Sequence, residues 1–445
     1  MHFNKYFVAD VLSFKTKLLH WADQFSHVCF LDSQNYSRND QACGEGSYDL
    51  LAGVGCLHEL KSSENYFDEL KKLYDQFCIN KKEWLFGYLT YDLKNDIEKL
   101  KSENYDGIQF PEIKFFIPEF VFALNDNALS ISVCNKSKRK PEEIFNEIQS
   151  LEMPDGCPQH SFVKLSSRIS QKEYAEMFEN ILQHIHRGDI YELNFCQEFY
   201  SENANINPLF VFKKLCEISP APFSCYFKWI NHYLLSSSPE RFLRKQGNRI
   251  ISQPIKGTIQ RGKNSTEDLF LKYKLQQDEK ERSENVMIVD LVRNDLSRIA
   301  ERGSVKVDEL FGIYSFSQVH QMISTISCAA KKDIHPVDII KACFPMGSMT
   351  GAPKIKAMEL IEKFESAKRG LFSGAVGYFS PEGNFDFNVV IRSILYHAVN
   401  HYLSVMVGGA ITAKANSEDE YNECLLKVSA MIQVLSGETK NVRAV

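Results

Sequence analysis

Short apolar runs of strand length, bounded by turn residues, recur over the first third of the chain; residues 27–31 and 84–91 are the clearest. A stretch rich in structure breakers, Met153-Pro154-Asp155-Gly156-Cys157-Pro158, predicts a linker. It divides an N-terminal region, 1–155, from a second region, 160–440. The texture then changes. Ser170-Gln171-Lys172-Glu173 is a capping box, in which the serine and glutamate satisfy each other's backbone N–H groups. It predicts a helix to about residue 187, stopped by Gly188. Residues 232–237 predict a strand, and 242–244 with 249–255 a hairpin around Gln246-Gly247-Asn248. Ser265-Thr266-Glu267-Asp268 opens a further helical stretch. Residues 281–299 read as a long half-buried helix, 375–380, 387–396 and 402–407 as strands, and 419–435 as a last helix. Long strands mixed with long helices, without a regular βαβ rhythm, predict an α+β fold.

Composition narrows the function. The 445 residues include 52 Lys and Arg against 57 Asp and Glu, a formal net charge of −5. That near balance argues against nucleic-acid binding, which calls for a basic excess. With 44% apolar and 24% charged residues, large-scale disorder is excluded. The most apolar stretch, 115–124, carries Pro118 and Glu119 and is too short to span a bilayer, so no membrane association is expected. No signal peptide is expected either, because the first residues lack a long apolar run and a cleavage site. The 12 cysteines are scattered, with no C-x-x-C pair and no Cys/His cluster at zinc spacing. They read as reduced thiols of a cytoplasmic protein.

Several constellations could carry chemistry. Glu281 and Glu284 lie three apart in one predicted helix, and Glu420 and Glu423 three apart in another. That spacing puts each pair on one helix face. Two such faces brought together would offer Mg²⁺ the hard oxygens it takes. The alternative is ordinary surface chemistry: Glu420 closes a capping box from Ser417, and Glu423 sits four before Lys427. In Pro254-Ile255-Lys256-Gly257-Thr258 a lysine ends an apolar strand. In a dry pocket its pKa would fall and make it a nucleophile or base; otherwise it snorkels to water. Gly347-Ser348-Met349-Thr350-Gly351-Ala352-Pro353-Lys354 offers N–H groups to an anion, or is a capped helix start. Gly408-Gly409 lets a ligand approach the backbone, or marks a bend. Glu240 is a general acid or the partner of Arg241. His320 is an acid, base or electrophile, or a satisfied core histidine. Arg392, inside the apolar run Val389 to Leu395, needs an anionic partner from a substrate or from the protein.

Taken in order, these segments resemble the chorismate-utilising enzymes, a family that includes anthranilate, aminodeoxychorismate, isochorismate and salicylate synthases. The resemblance covers about residues 165 to 435. It rests on Gly188-Asp189-Ile190-Tyr191, Ser238-Pro239-Glu240-Arg241-Phe242, Pro254 to Thr258, Glu284 to Leu296, Phe344 to Lys354, Gly374-Ala375-Val376-Gly377-Tyr378, Ile391-Arg392 and Glu420-Tyr421-Asn422-Glu423. A weaker match lies in Leu31-Asp32-Ser33 and Phe86-Gly87-Tyr88-Leu89-Thr90-Tyr91. The fold implied is α+β, with large mixed or antiparallel β-sheets and flanking helices. The implied cofactor is Mg²⁺, held by Glu281, Glu284, Glu420 and Glu423 against the ring carboxylate of chorismate. Ser348, Thr350, Arg392, Gly408, Gly409 and Lys427 are implied in substrate binding, and Lys256, Glu240, His320 and Glu192 in catalysis.

By the same resemblance, Lys256 implies the aminodeoxychorismate synthase side of the family, because anthranilate synthases typically carry alanine there. The neutral amine would add to C2 of chorismate while Glu240 helps the C4 hydroxyl leave; ammonia would then displace it. Glu192 stands where water-adding relatives carry a lysine and amine-adding relatives usually a glutamine. A carboxylate there would bind ammonium or assist proton transfer. Phe372, Ala410 and Lys414 depart from residues common in the family. No glutaminase segment is visible, so the expected partner is a glutamine amidotransferase subunit on a separate chain that supplies ammonia. The rival readings are an anthranilate synthase component and a non-catalytic chorismate-binding subunit. Some relatives bind tryptophan in the N-terminal part, but Leu31-Asp32-Ser33 is not assigned to such a pocket here.

Overall fold

Strands from both halves of the sequence interleave in two large sheets. The computed structural model describes residues 2–36, 48–153 and 162–437. The linker expected at 153–158 therefore lies, apart from Met153, outside the described residues. The first sheet has 12 strands and the second 10. Their ladders are antiparallel throughout, which resolves the choice between mixed and antiparallel sheets. Strand His27–Asp32 pairs with Phe223–Trp229 in the first sheet, and Leu85–Leu89 with Ala375–Phe379 in the second. Each sheet thus joins a strand of the first hundred residues to one from the second region.

Two apolar layers hold this arrangement. One cluster fills the space between the sheets with Phe86, Phe115, Phe227 and Phe387, and takes in Ile288 and Val292 of the long helix. The other lies between the first sheet and its helices, where Leu18, Phe178, Phe212 and Val428 meet Phe122, Phe195 and Val405. Burial of such side chains is worth roughly 1.5–3 kcal/mol each before entropy is counted. Among the described residues no helix is long and apolar enough to cross a membrane.

Local signals set most element ends. Ser170 caps helix Gln171–His186 with the expected capping box, and Gly188 follows at φ +81°. The hairpin forms between Arg241–Gln246 and Arg249–Gln253, turning through Gly247 at φ +60°, a value that favours glycine. Ile255 is not its last residue: Pro254 ends that strand, and Ile255–Gln260 is a separate one. The long helix spans Glu279–Ile299 with Asp278 as its cap, and helix Ser265–Gln277 is capped by Asn264. Asn416, not Ser417, caps the last helix, Ser417–Ser436, so the capping-box alternative for Glu420 is not realised. The strand expected at 387–396 is two strands in different sheets, Phe385–Val389 and Ser393–His397. The strand expected at 402–407 runs on to Thr412 and contains Gly408 and Gly409.

A buried ion pair fixes the first sheet against the turn Gly347–Met349. Arg369 meets Glu365 through two hydrogen bonds, Nη2–Oε1 at 2.6 Å and Nε–Oε2 at 2.9 Å. It also donates to the carbonyls of Met349 and Asn194, and Glu365 accepts the N–H of Cys196. Replacing Arg369 by Met strands the Glu365 charge, so the expected loss is about 3–5 kcal/mol of unfolding free energy. Urea denaturation of Arg369→Met measures it; a loss below about 1 kcal/mol would show that the pair is not the anchor described.

Candidate active site

The chain leaves the first sheet for the second at Glu240, between strands His232–Ser238 and Arg241–Gln246. It returns at Arg392, between Phe385–Val389 and Ser393–His397. The two crossings lie side by side. Val389 N–H donates to the Glu240 carbonyl at 3.0 Å, and Ser237 N–H to the Arg392 carbonyl at 3.0 Å. Arg392 is therefore not inside a strand. It sits at the break, at φ +50°, a left-handed conformation costly for a residue with a Cβ. Its guanidinium has no hydrogen bond or ion pair among the described residues. Burial lowers its pKa, with the charge of Glu423 opposing the shift.

Lys256 and Glu192 meet across the gap between the sheets. Lys256 lies in Ile255–Gln260, at the end of the second sheet, and Glu192 opens Glu192–Ser201 near the end of the first. Lys256 Nζ donates to Glu192 Oε1 at 2.6 Å; the Glu192 side chain is buried and that of Lys256 is 11% exposed. Burial pushes the amine's pKa down, as the sequence predicts for a dry pocket. Glu192, Glu284 and Glu240 more than reverse that push and hold it well above the ordinary lysine range. In the free chain these carboxylates favour the protonated amine. The other oxygen of Glu192, Oε2, is buried without a hydrogen-bond partner among the described residues.

Glu240 is 4% exposed and accepts from Ser348 Oγ at 2.6 Å. Burial raises its pKa to about 7 against the opposing effects of Ser348, Lys256 and the Ile255 N–H. Arg241 pairs with Asp386 of the neighbouring strand, Nε–Oδ1 at 3.0 Å. Glu240 therefore carries the features of a general acid near neutrality.

The two glutamate pairs come from the long helix and the last helix. Glu284 is buried, its pKa raised to about 7 by burial, and its Oε1 has no hydrogen-bond partner. Burial also raises Glu281 and Glu420, each pushed further by Glu423. Glu423 goes the other way: burial would raise it, but Lys427, 2.6 Å away, outweighs that. The surface-pair reading of Glu423 and Lys427 is therefore realised, within the same cluster. Glycine at 409 makes room for Glu420, whose Oε2 lies only 2.6 Å from where a Cβ would stand. Lys280 Nζ reaches between the helices, 3.0 Å from Glu420 Oε1 and 4.0 Å from Glu284 Oε1. Among the described residues no three His, Cys, Asp or Glu side chains are gathered tightly enough to chelate an ion. The donor set still fits Mg²⁺ in kind: all four are carboxylates, and one buried oxygen lacks a partner.

Other expected residues have their polar atoms committed. The Thr350 hydroxyl turns back to the Met346 and Gly347 carbonyls. Lys427 Nζ donates to the Gly408 carbonyl at 2.7 Å. Gly408 lies in a strand, and a Cβ there would come within 2.4 Å of the Phe195 carbonyl oxygen, so close strand packing accounts for it. His320 is buried with both ring nitrogens engaged, Nδ1 by Ser315 at 2.8 Å and Nε2 by Asp268 at 3.0 Å. Lys354 is bound by Asp295 and the Pro345 carbonyl beneath the site. Neither Lys280 nor Asp268 was singled out from its sequence setting as a site residue. The only signal for Lys280 was its position four residues before Glu284. Leu31, Asp32 and Ser33 line a separate cavity between the sheets with Tyr48, Pro222 and Tyr378; Asp32 there is paired with Lys15 at 2.8 Å.

Residues 27–433 match the family described as chorismate binding enzyme. A chloroplastic aminodeoxychorismate synthase of Arabidopsis thaliana is 36% identical over 427 residues, 91% of this chain and 45% of that protein. The chain thus spans under half of that relative's length. Aminodeoxychorismate synthase component 1 of Escherichia coli strain K12 is 34% identical over 352 residues, 78% of this chain and 76% of that one. Among solved structures, anthranilate synthase component I of Streptococcus pneumoniae shares the fold at a TM-score of 0.74 and 24% identity. That match covers 85% of this chain and 91% of the other.

The raised pKa of Glu240 sets a pH dependence of stability. Folded, the group titrates at about 7; its ordinary value is 4.5, so between these the folded chain binds more protons. Its contribution is whole below about pH 4.5 and is lost as pH rises to about 7. Glu240→Gln should therefore stabilise the protein at pH 8 relative to the parent, with little gain at pH 5. Urea midpoints at the two pH values test this, and equal shifts at both would contradict it.

Proposed function

The chain belongs to the chorismate binding enzyme family, and on that premise we propose that it is an aminodeoxychorismate synthase component, replacing the C4 hydroxyl of chorismate with an amine. The observation that carries this reading is a buried lysine, Lys256, held 2.6 Å from a carboxylate with Glu240 nearby. Nucleophilic amination needs those parts: an amine, a place for its proton, and an acid for the leaving hydroxyl. A water-adding relative would need a lysine at position 192, and glutamate stands there.

In the proposed sequence Lys256 passes its proton to Glu192 and adds to C2 of the ring. Glu240 donates its proton to the C4 hydroxyl, which leaves as water. Ammonia adds at C4 and returns one proton to Glu240, and the lysine nitrogen departs from C2 with its own electron pair. Glu192 then gives the first proton back. Chorismate and ammonia thus yield 4-amino-4-deoxychorismate and water, with both acids restored. Arg392, whose side chain has no partner among the described residues, would take a substrate carboxylate. Mg²⁺ held by Glu281, Glu284, Glu420 and Glu423 would set positive charge against the ring carboxylate. The proposed ammonia source is a glutamine amidotransferase subunit, and the proposed setting the cytoplasm. The described cysteines are all free thiols there, as expected of a reducing compartment.

The purified chain, supplied with chorismate, Mg²⁺ and excess ammonium, should form 4-aminobenzoate only when aminodeoxychorismate lyase is added. Anthranilate formed without lyase would sink the proposal. Lys256→Ala should lose amination by a factor of about 100 or more, the usual scale for a covalent catalyst. Glu284→Gln should abolish Mg²⁺-dependent turnover; unchanged turnover would remove Glu284 from the metal's ligands.

A further inference from the structure

Four carboxylates on two helices repel one another unless a cation stands among them. In the free chain a cation does stand there, and it belongs to the protein. Lys280, in the first turn of helix Glu279–Ile299, reaches across to the last helix. Its ammonium lies 3.0 Å from Glu420 Oε1 and 4.0 Å from Glu284 Oε1. The other cations nearby are engaged by other groups: Lys427 holds Glu423, at one end of the cluster, and the Gly408 carbonyl, and Lys256 holds Glu192. Glu284 and Glu420 are buried, whereas the Lys280 side chain is nearly half exposed, at 45%. The carboxylates are thus fixed in the core while the ammonium can swing out to solvent.

We propose that Lys280 is a resident counter-cation of the carboxylate cluster, which a divalent ion must displace in order to bind. The inference rests on these carboxylates forming the metal site. Two physical facts require exclusion of one cation by the other. A divalent ion of the Mg²⁺ type sits about 2.0–2.1 Å from its oxygens, which draws carboxylates closer than an ammonium at hydrogen-bond distance allows. An ammonium a few ångströms from that ion would be strongly repelled. Metal binding is then an exchange: one charge leaves, two arrive, and Lys280 moves to water. The free chain keeps its acidic faces apart around an ammonium, so the site survives without metal at the cost of weaker metal affinity.

The test uses the whole chain without chorismate and Mn²⁺ as the probe, read by electron paramagnetic resonance of the free ion. Lys280→Met should bind Mn²⁺ about tenfold or more tightly than the parent, the scale expected for removing a near, partly buried charge. Lys280→Arg, which keeps the charge, should stay near the parent. A second readout follows the side chain itself. Acetylation of Lys280 by a water-soluble N-hydroxysuccinimide ester, read by peptide mass spectrometry, should rise when Mn²⁺ saturates the parent. A merely structural lysine would show no such rise. Unchanged or weaker Mn²⁺ binding by Lys280→Met overturns the proposal, as does acetylation indifferent to the metal. Absence of Mn²⁺ binding by parent and variant alike overturns the metal site itself, and this inference with it. Because neither readout involves turnover, failure of the amination reading would show only in the product assay.

Discussion

The candidate site depends on the place where the chain changes sheets. A strand that leaves its ladder carries backbone N–H and C=O groups into the core, where they need partners. Here the outward crossing at Glu240 and the return crossing at Arg392 supply each other's partners. That mutual pairing fixes both residues at the seam between the sheets, one an acid and the other a cation. The same seam forces Arg392 into a left-handed backbone conformation. Such strain persists where the surroundings over-determine it, and here backbone bonds on both sides do so. Beneath the seam, Arg369 and Glu365 tie the Ser348 turn to the strand that begins with Glu192. The acid, its hydroxyl donor and the lysine's carboxylate thus all hang from one framework.

Electrostatics within that framework is deliberately uneven. Six glutamates, at 192, 240, 281, 284, 420 and 423, gather with Lys256, Lys280, Lys427 and Arg392. The pKa of Glu423, held by Lys427, stays below its ordinary range, whereas burial raises that of Glu420 despite Lys280 at 3.0 Å. Where burial dominates, as at Glu240 and Glu284, the pKa rises to about 7. Neighbouring carboxyl groups with different environments can therefore do different work at one pH, one as a proton donor and another as a fixed negative charge.

Much of this was legible in the residues, and the exceptions have physical causes. Caps and turns are local chemistry, so the Ser170 helix and the Gly247 hairpin read directly from their sequences. The glutamate pairs were legible as faces because helix spacing is fixed. The break at Arg392 was not: residues 387–396 are apolar enough to suit the core on either side of the seam, and alternation cannot tell one strand from two. Gly408 and Gly409 read as a ligand approach to the backbone or a bend; they lie within a strand, where the neighbouring strand and Glu420 crowd their Cα atoms, contacts that no local pattern reveals. Lys280 escaped notice because its partner Glu420 is 140 positions away.

Lys256 shows most clearly why pattern and magnitude must be weighed together. Its position at the end of an apolar strand correctly implies burial, and burial alone would free the amine of its proton. Three carboxylates within reach decide the matter the other way. The relevant variable is therefore the charge state of those neighbours, since dryness is already present and is outweighed. Glutamate rather than glutamine at 192 matters for this reason. A glutamine would offer the amine a hydrogen bond but has no basic oxygen to take a proton, whereas Glu192 puts a carboxylate oxygen on Lys256, and its other oxygen has no partner among the described residues.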